Sequence, residues 1–224
     1  MQCLGLTIHK YSEAEDMTRC HPLNPTLLNF ITEQGWTIST KLAEGSVSDV
    51  FTCRQNHIVA VLILFGNVDL ENRDAWNIYP KIERAREFPN IFPIIYDVFT
   101  TDIPYSQDRV YLNDSTDFAS RTIQVIEKLD MTLETYLHGL SPHEVLAFVP
   151  VLRKTLIRYL TILGDSAIYY TDLKLDNIGV IVTSIVYLKL IDIEGIQLRT
   201  VNHFDVQELV DSIIKYDILL PLNL

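Results

Sequence analysis

Hydrophobic positions near the start of the chain follow a helical rhythm and then turn strand-like. Asn24-Pro25-Thr26 predicts the start of a short helix running to Glu33, with Leu27, Leu28 and Ile31 on one side. Residues 36–65 read as strands. Val47, Val50 and Phe51 lead into Cys53, a polar turn follows at Gln55-Asn56-His57, and Ile58–Phe65 completes a hairpin pattern. Its second strand is apolar on both faces, which predicts a central, covered position. Residues 70–87 are charged but place Trp76, Ile78 and Ile82 at helical spacing, with Pro80 either beginning or kinking that helix. Residues 91–99 and 121–129 read as strands around a polar, turn-rich loop over 100–120. Residues 143–164 carry Val145, Phe148, Val149, Leu152, Leu156, Leu160 and Leu163 on a helical period, with Pro150 expected to bend the helix. Two short β-rich runs fall within 178–193. Residues 204–217 read as a closing helix with Val206, Leu209, Ile213 and Ile214 on one face.

Strands, a helix, more strands and then mostly helices predict an α+β chain, with a small β-rich part followed by a helical part. The chain has 224 residues, 48% of them hydrophobic, enough for a substantial core. The polar-rich leader, 1–35, stands apart from this pattern. The net charge of −11 argues against nucleic acid or an anionic membrane as the main partner. Met1 to Lys10 lacks the basic start and apolar stretch of a secretory signal, and the longest apolar run, Ile58 to Phe65, falls far short of the roughly 20 residues that span a bilayer. Three widely spaced cysteines, Cys3, Cys20 and Cys53, fit a reduced, intracellular, cytoplasmic setting. Cys3, His9, Cys20 and His21 have no Cys-x-x-Cys spacing, so free thiols and surface histidines are expected rather than a zinc site.

Chemistry concentrates in Tyr169 to Val180, YYTDLKLDNIGV. Asp172, Lys174 and Asn177 there are spaced as in a tight loop that presents a carboxylate, an ammonium and an amide together. Asp192 follows in Leu190-Ile191-Asp192-Ile193-Glu194. The first segment resembles the protein-kinase catalytic loop His-Arg-Asp-Leu-Lys-x-x-Asn, and the second resembles the magnesium-binding Asp-Phe-Gly segment. Other segments match kinases in the same order. Leu42 to Phe51 resembles the glycine-rich loop, Val59-Ala60-Val61 the start of Val-Ala-Ile-Lys, Glu87 to Ile91 the His-Pro-Asn-Ile turn, and Ile126-Glu127-Lys128-Leu129 the hinge between lobes. The resemblance covers residues 37 to about 215. It implies a two-lobed protein-kinase-like fold, with the small lobe and hinge in 36–129 and a truncated helical lobe in 130–224. It further implies Mg2+ and ATP as cofactors, Asp172 and Lys174 as catalytic residues, Asn177 and Asp192 as metal ligands, and Gly45, Val50, Ala60, Glu127 and Leu129 around the nucleotide.

The departures from that pattern are chemical. Leu62 stands where kinases carry the lysine that contacts the α- and β-phosphates. Tyr79 aligns near its glutamate partner, with Asp74 and Glu83 about a turn away. Ala43 and Ser48 replace the glycines flanking Gly45, and Lys41 and Arg54 are the nearby cations. Thr171 replaces the arginine that couples the loop to a phosphorylated activation segment, and no Ala-Pro-Glu motif follows Gly195. Compact viral kinase homologues share such a shortened lobe, so a viral origin would suit the chain. The resemblance therefore implies a divergent Ser/Thr kinase homologue with weak or absent phosphotransfer, acting on a protein substrate, or a pseudokinase that regulates a protein partner. A small-molecule phosphotransferase is a third reading. The sequence leaves the oligomeric state open. It also leaves open whether Ile218-Leu219-Leu220-Pro221-Leu222 closes the core or forms a contact.

Overall fold

The computed structural model describes residues 23–44, 48–65, 78–101, 103, 121–198 and 205–222. The chain is α+β and divides into two compact units. Among the described residues the first holds 23–65 and 94–128, and the second holds 78–93 and everything from Leu129 onward.

The first unit begins with helix α1 (Pro25–Glu33), capped by Asn24, whose side chain accepts from the Thr26 amide at 2.9 Å. Proline in the first turn removes an N–H that would have lacked a partner. The helix ends at Gly35, whose φ of +90° lets the chain reverse so that the Trp36 amide reaches Ile31 O at 3.2 Å. Leu27 and Ile31 are buried, whereas Leu28 is 40% exposed. The expected apolar side of α1 is therefore narrower than the sequence reading gave it, because i and i+4 share a face and i+1 turns away.

Strands β1 (Thr37–Glu44), β2 (Ser48–Gln55), β3 (Ile58–Phe65), β4 (Ile95–Thr101) and β5 (Arg121–Glu127) form an antiparallel sheet in the order β1-β2-β3-β5-β4. The β2–β3 turn falls at the predicted place, with Asn56 at a φ of 54°. β3 is central, and Ala60 to Leu64 are all buried. The register places Phe51 opposite Leu62, Cys53 opposite Ala60 and Leu62 opposite Val125. That face packs under Leu27, Ile31 and Trp36. Val50, Val61, Ile63, Gln124 and Ile126 occupy the opposite face and are buried too. The expected strand over 91–99 begins only at Ile95. Pro93 has no N–H for a ladder, and Ile91 and Phe92 bury their side chains in the turn before it.

In the second unit, helix α2 (Ile78–Arg86) carries Pro80 in its first described turn and buries Ile82 and Ala85. A two-residue strand β6 (Met131–Thr132) leads into α3 (Leu133–His138), and then comes the long helix α4 (Pro142–Asp165). Ser141 and Glu144 close a capping box at its start, with Ser141 N donating to the Glu144 carboxylate at 2.8 Å. The helix continues through Pro150 and buries Val145, Leu152, Leu156, Leu160 and Leu163. Strands β8 (Ile178–Val182) and β9 (Val186–Leu190) pair with β6 in a three-stranded sheet, while β7 (Tyr169–Tyr170) pairs with β10 (Ile196–Gln197). Helix α5 (Val206–Ile213) passes into a π-helical turn over Ile214–Leu219. Its buried residues are Val210, Ile213, Ile214 and Ile218, with Val206 and Leu209 half-buried. Ile213 and Ile214 are buried as expected, and Val210, not read from sequence as part of that face, lies four residues before Ile214 and shares its side of the helix. Arg153 ties α4 to α5 through a two-pronged pair with Asp211, at 2.6 and 2.9 Å. In the tail Ile218 is buried and Leu220 exposed. Among the described residues no helix is long and apolar enough to cross a membrane.

Because Leu62 is fully buried against α1, Leu62→Lys places an ammonium in an apolar core. It is expected to destabilise the chain by about 3 kcal/mol or more in chemical denaturation. Stability close to that of the wild type would contradict this placement of β3.

Candidate functional site

Two backbone pairings in the second unit bring the chemical residues together. β7 runs directly into Thr171 and Asp172, and β10 follows Gly195. Their pairing sets Tyr170 opposite Ile196, so Thr171 N donates to Gly195 O at 3.0 Å. The β8–β9 hairpin sets Ile178 opposite Leu190, and Ile191 N donates to Asn177 O at 3.0 Å. Asp172 and Asn177 thus enter from one side and Asp192 from the other. A 3-10 turn at Leu175–Asn177, closed by Asn177 N to Lys174 O at 3.0 Å, turns the Asn177 side chain inward.

The Asn177 side chain organises the cluster. It is 1% exposed, and its amide nitrogen donates at 2.8 Å to the Asp172 main-chain carbonyl and at 2.8 Å to Asp172 Oδ2. The same nitrogen lies 3.4 Å from Asp192 Oδ2. Lys174 Nζ lies 3.0 Å from Asp172 Oδ2, and both side chains are about half exposed. Asp172, Lys174, Asn177 and Asp192, the four residues singled out for catalysis and metal binding, therefore share one network. Among the described residues no group of three or more His, Cys, Asp and Glu side chains could hold a metal. The candidate donors are instead a carboxylate and an amide. Anchoring of the Asn177 nitrogen by a carbonyl fixes which end of that amide is its oxygen. A carboxylate with an amide oxygen is the hard donor set that Mg2+ takes.

Three neighbours shape the cluster. Tyr170 is fully buried, its hydroxyl 3.5 Å from Asn177 O. Burial, then the negative charge of Asp192, pushes its phenol well above the ordinary range, so it stays protonated. Thr171 donates its hydroxyl to Gly195 O at 3.3 Å and accepts from Gln197 Nε2 at 3.3 Å. Gly195 lies so close that an added Cβ would sit 3.1 Å from Asp172 Cβ. Asp176 faces Glu134 in the first turn of α3. A hydrogen bond between the two carboxyl groups, then burial and mutual repulsion, raises Glu134 above the usual carboxylate range, opposed by His138.

Lys189 was not anticipated by sequence. It is buried, and its ammonium donates to the carbonyls of Pro89 and, at 3.3 Å, Phe92. With Leu190 N donating to Ile91 O at 2.8 Å, it pins the turn after α2 to β9, just before Asp192. A lysine inside an otherwise apolar strand was the available signal.

The residues proposed around a nucleotide are less united. Gly45 lies outside the described residues, as do Cys3, His9, Cys20, His21, Asp74 and Trp76. Val50 and Ala60 are on opposite faces of the sheet, so one ring on one face meets one of them and not both. Glu127 ends β5, with its carboxylate accepting from Ile94 N at 3.2 Å and its amide donating to Ile94 O at 2.8 Å. Leu129, in the second unit, is buried. Lys41 is engaged with Asp49 at 2.9 Å. No model of a known protein family matches the chain, and no curated protein matches it.

The Glu134–Asp176 contact yields a pH-dependent outcome. A carboxyl held above its unfolded value costs stability once it ionises, and the cost vanishes as pH falls below the unfolded value. Glu134→Gln is expected to raise the melting temperature at pH 7 by about 1–2 °C, small because both groups reach solvent. The gain should disappear below about pH 4. An equal gain at both pH values would refute the raised Glu134 carboxyl.

Proposed function

We propose that the chain is a divergent protein-kinase-like protein that binds a magnesium nucleotide through Asp172, Lys174, Asn177 and Asp192, with weak or absent Ser/Thr phosphotransfer. One observation carries this reading: a single buried amide, Asn177, lies within reach of both the Asp172 and Asp192 carboxylates, and Lys174 is beside the first. In such a site Asp172 would accept the proton of an attacking hydroxyl and Lys174 would steady the transferred phosphoryl group. Asn177 and Asp192 would hold the metal, whose chemistry is to bridge and neutralise phosphate oxygens. The two-lobed kinase fold and the roles of 36–129 and 130–224 as lobes belong to this proposal. So do the nucleotide-facing positions Gly45, Val50, Glu127 and Leu129, whereas Ala60 is buried on the sheet face that packs under Leu27 and Ile31.

A second reading is a pseudokinase that regulates another protein. The fully buried aliphatic at Leu62 favours it. On the other face Val61 and Ile63 are equally apolar and buried, so neither face of β3 offers a cation to phosphate. Loss of one such electrostatic contact in an active site typically costs about 3 kcal/mol of transition-state stabilisation, roughly a hundredfold in rate.

A thermal-shift titration with ATP, with and without magnesium, tests nucleotide binding. A magnesium-dependent upward shift is expected, and no shift at millimolar ATP removes both the enzyme and the nucleotide-sensor readings. If the protein transfers radiolabelled phosphate, Asp172→Ala is expected to lower the rate by about a hundredfold or more while the chain stays folded. Unchanged labelling by that variant would trace the activity to a contaminant.

A further inference from the structure

Helix α4 buries one side and leaves the opposite side open. Its core side carries Val145, Leu152, Leu156, Leu160 and Leu163. Away from the core, Glu144, Ala147, Val151, Lys154 and Arg158 are all exposed. Alternating steps of three and four residues keep these five on one stripe. The outward face of an amphipathic helix is polar by default, but the middle of this one is apolar. Val151 is 58% exposed, more than any other large hydrophobic side chain among the described residues. Leu146, at 42%, and Pro150 widen the patch on one flank.

Charge on the stripe is ordered about Val151. Glu144 lies seven residues before it and Arg158 seven residues after it, which is about 10 Å along the axis in each direction. Both capping bonds to the Glu144 carboxylate, from Ser141 N at 2.8 Å and Ser141 Oγ at 2.6 Å, go to Oε2 and leave Oε1 facing outward. Arg158 enters no ion pair among the described residues, whereas Arg153 on the neighbouring side is held by Asp211. Two such stripes laid antiparallel about a two-fold axis through Val151 are complementary. Val151 meets Val151 of the second copy, and each Glu144 faces Arg158 of the other chain. A two-fold axis makes every such contact twice.

We propose that the outward stripe of α4 is a self-association surface, and that its occupant is a second copy of this chain packed antiparallel about Val151. This goes beyond the nucleotide reading and does not rest on it. A contact one helix wide buries less than the roughly 800 Å2 per partner of a standard stable complex. The net charge of −11 on each copy also opposes association. The dimer is therefore weak and reversible, with a Kd of about 10–100 µM.

Sedimentation velocity of the full chain without nucleotide tests the proposal, on the wild type, on Arg158→Glu, on Glu144→Arg and on an equimolar mixture of the two variants. The wild type is expected to pass from monomer to dimer as its concentration rises to about 500 µM. Each variant alone sets like charges face to face at two places, so its self-association is expected to weaken by about tenfold or more. In the mixture both positions again meet opposite charge, and association is expected to recover to within about threefold of the wild type. A wild type that stays monomeric overturns the proposal and leaves the stripe to a different protein. A dimer unmoved by Arg158→Glu overturns it too, because self-association then uses another face. Arg158→Glu keeps the capping box, so this arm stands even where the Glu144→Arg chain fails to fold. Two folded variants that each lose association and do not recover on mixing overturn the antiparallel pairing about Val151.

Discussion

The Asn177 side-chain amide is buried, and its nitrogen donates to the Asp172 carbonyl and carboxylate while lying close to the Asp192 carboxylate. Leaving a buried donor unpaired costs about 1–3 kcal/mol, so this one group fixes the conformation of the loop that carries it. Two carboxylates, one ammonium and one amide then share a small volume. The charge of these four side chains is net negative, which a divalent cation would offset. The rest of the second unit holds this arrangement in place. The β7–β10 pairing aligns Asp172 with Gly195, the β8–β9 hairpin brings Asp192 to Asn177, and Lys189 fastens β9 to the turn after α2.

Much of the fold was legible because local signals agreed with packing. Asn24-Pro25 starts α1, Gln55-Asn56-His57 turns β2 into β3, and the unbroken apolar run over 58–65 is a central strand. The misreadings arise where local pattern and tertiary contact part. Ile91 and Phe92 look like strand residues but bury themselves in a turn beside Lys189. In α5 Val210 lies four residues before Ile214 and is fully buried, whereas Val206 and Leu209, read from sequence as part of that face, are half-buried.

For the candidate site, the residues of one short loop and one strand end were readable because their spacing is local. Asp172, Lys174 and Asn177 come together within that loop, and Asp192, paired with them in sequence only by the kinase resemblance, is brought in by the β8–β9 hairpin. Strand parity was harder to read. A one-residue difference moves a side chain to the other face of a sheet, and Val50 and Ala60, taken together from sequence, are separated in this way. The packing of Leu129 on Gly179 was invisible too, because nothing in the strand pattern of 121–129 says where its last residue turns.

The central claim is that the Asn177–Asp192 pair is the metal end of a nucleotide site. Mn2+ is a paramagnetic substitute for Mg2+ at oxygen ligands, and nuclear magnetic resonance reads its position directly. With ATP present, Mn2+ is expected to broaden the side-chain amide signals of Asn177 and the main-chain amide of Asp192 before those of other residues. Broadening that spares both, or that is spread evenly over the acidic surface, would contradict the account.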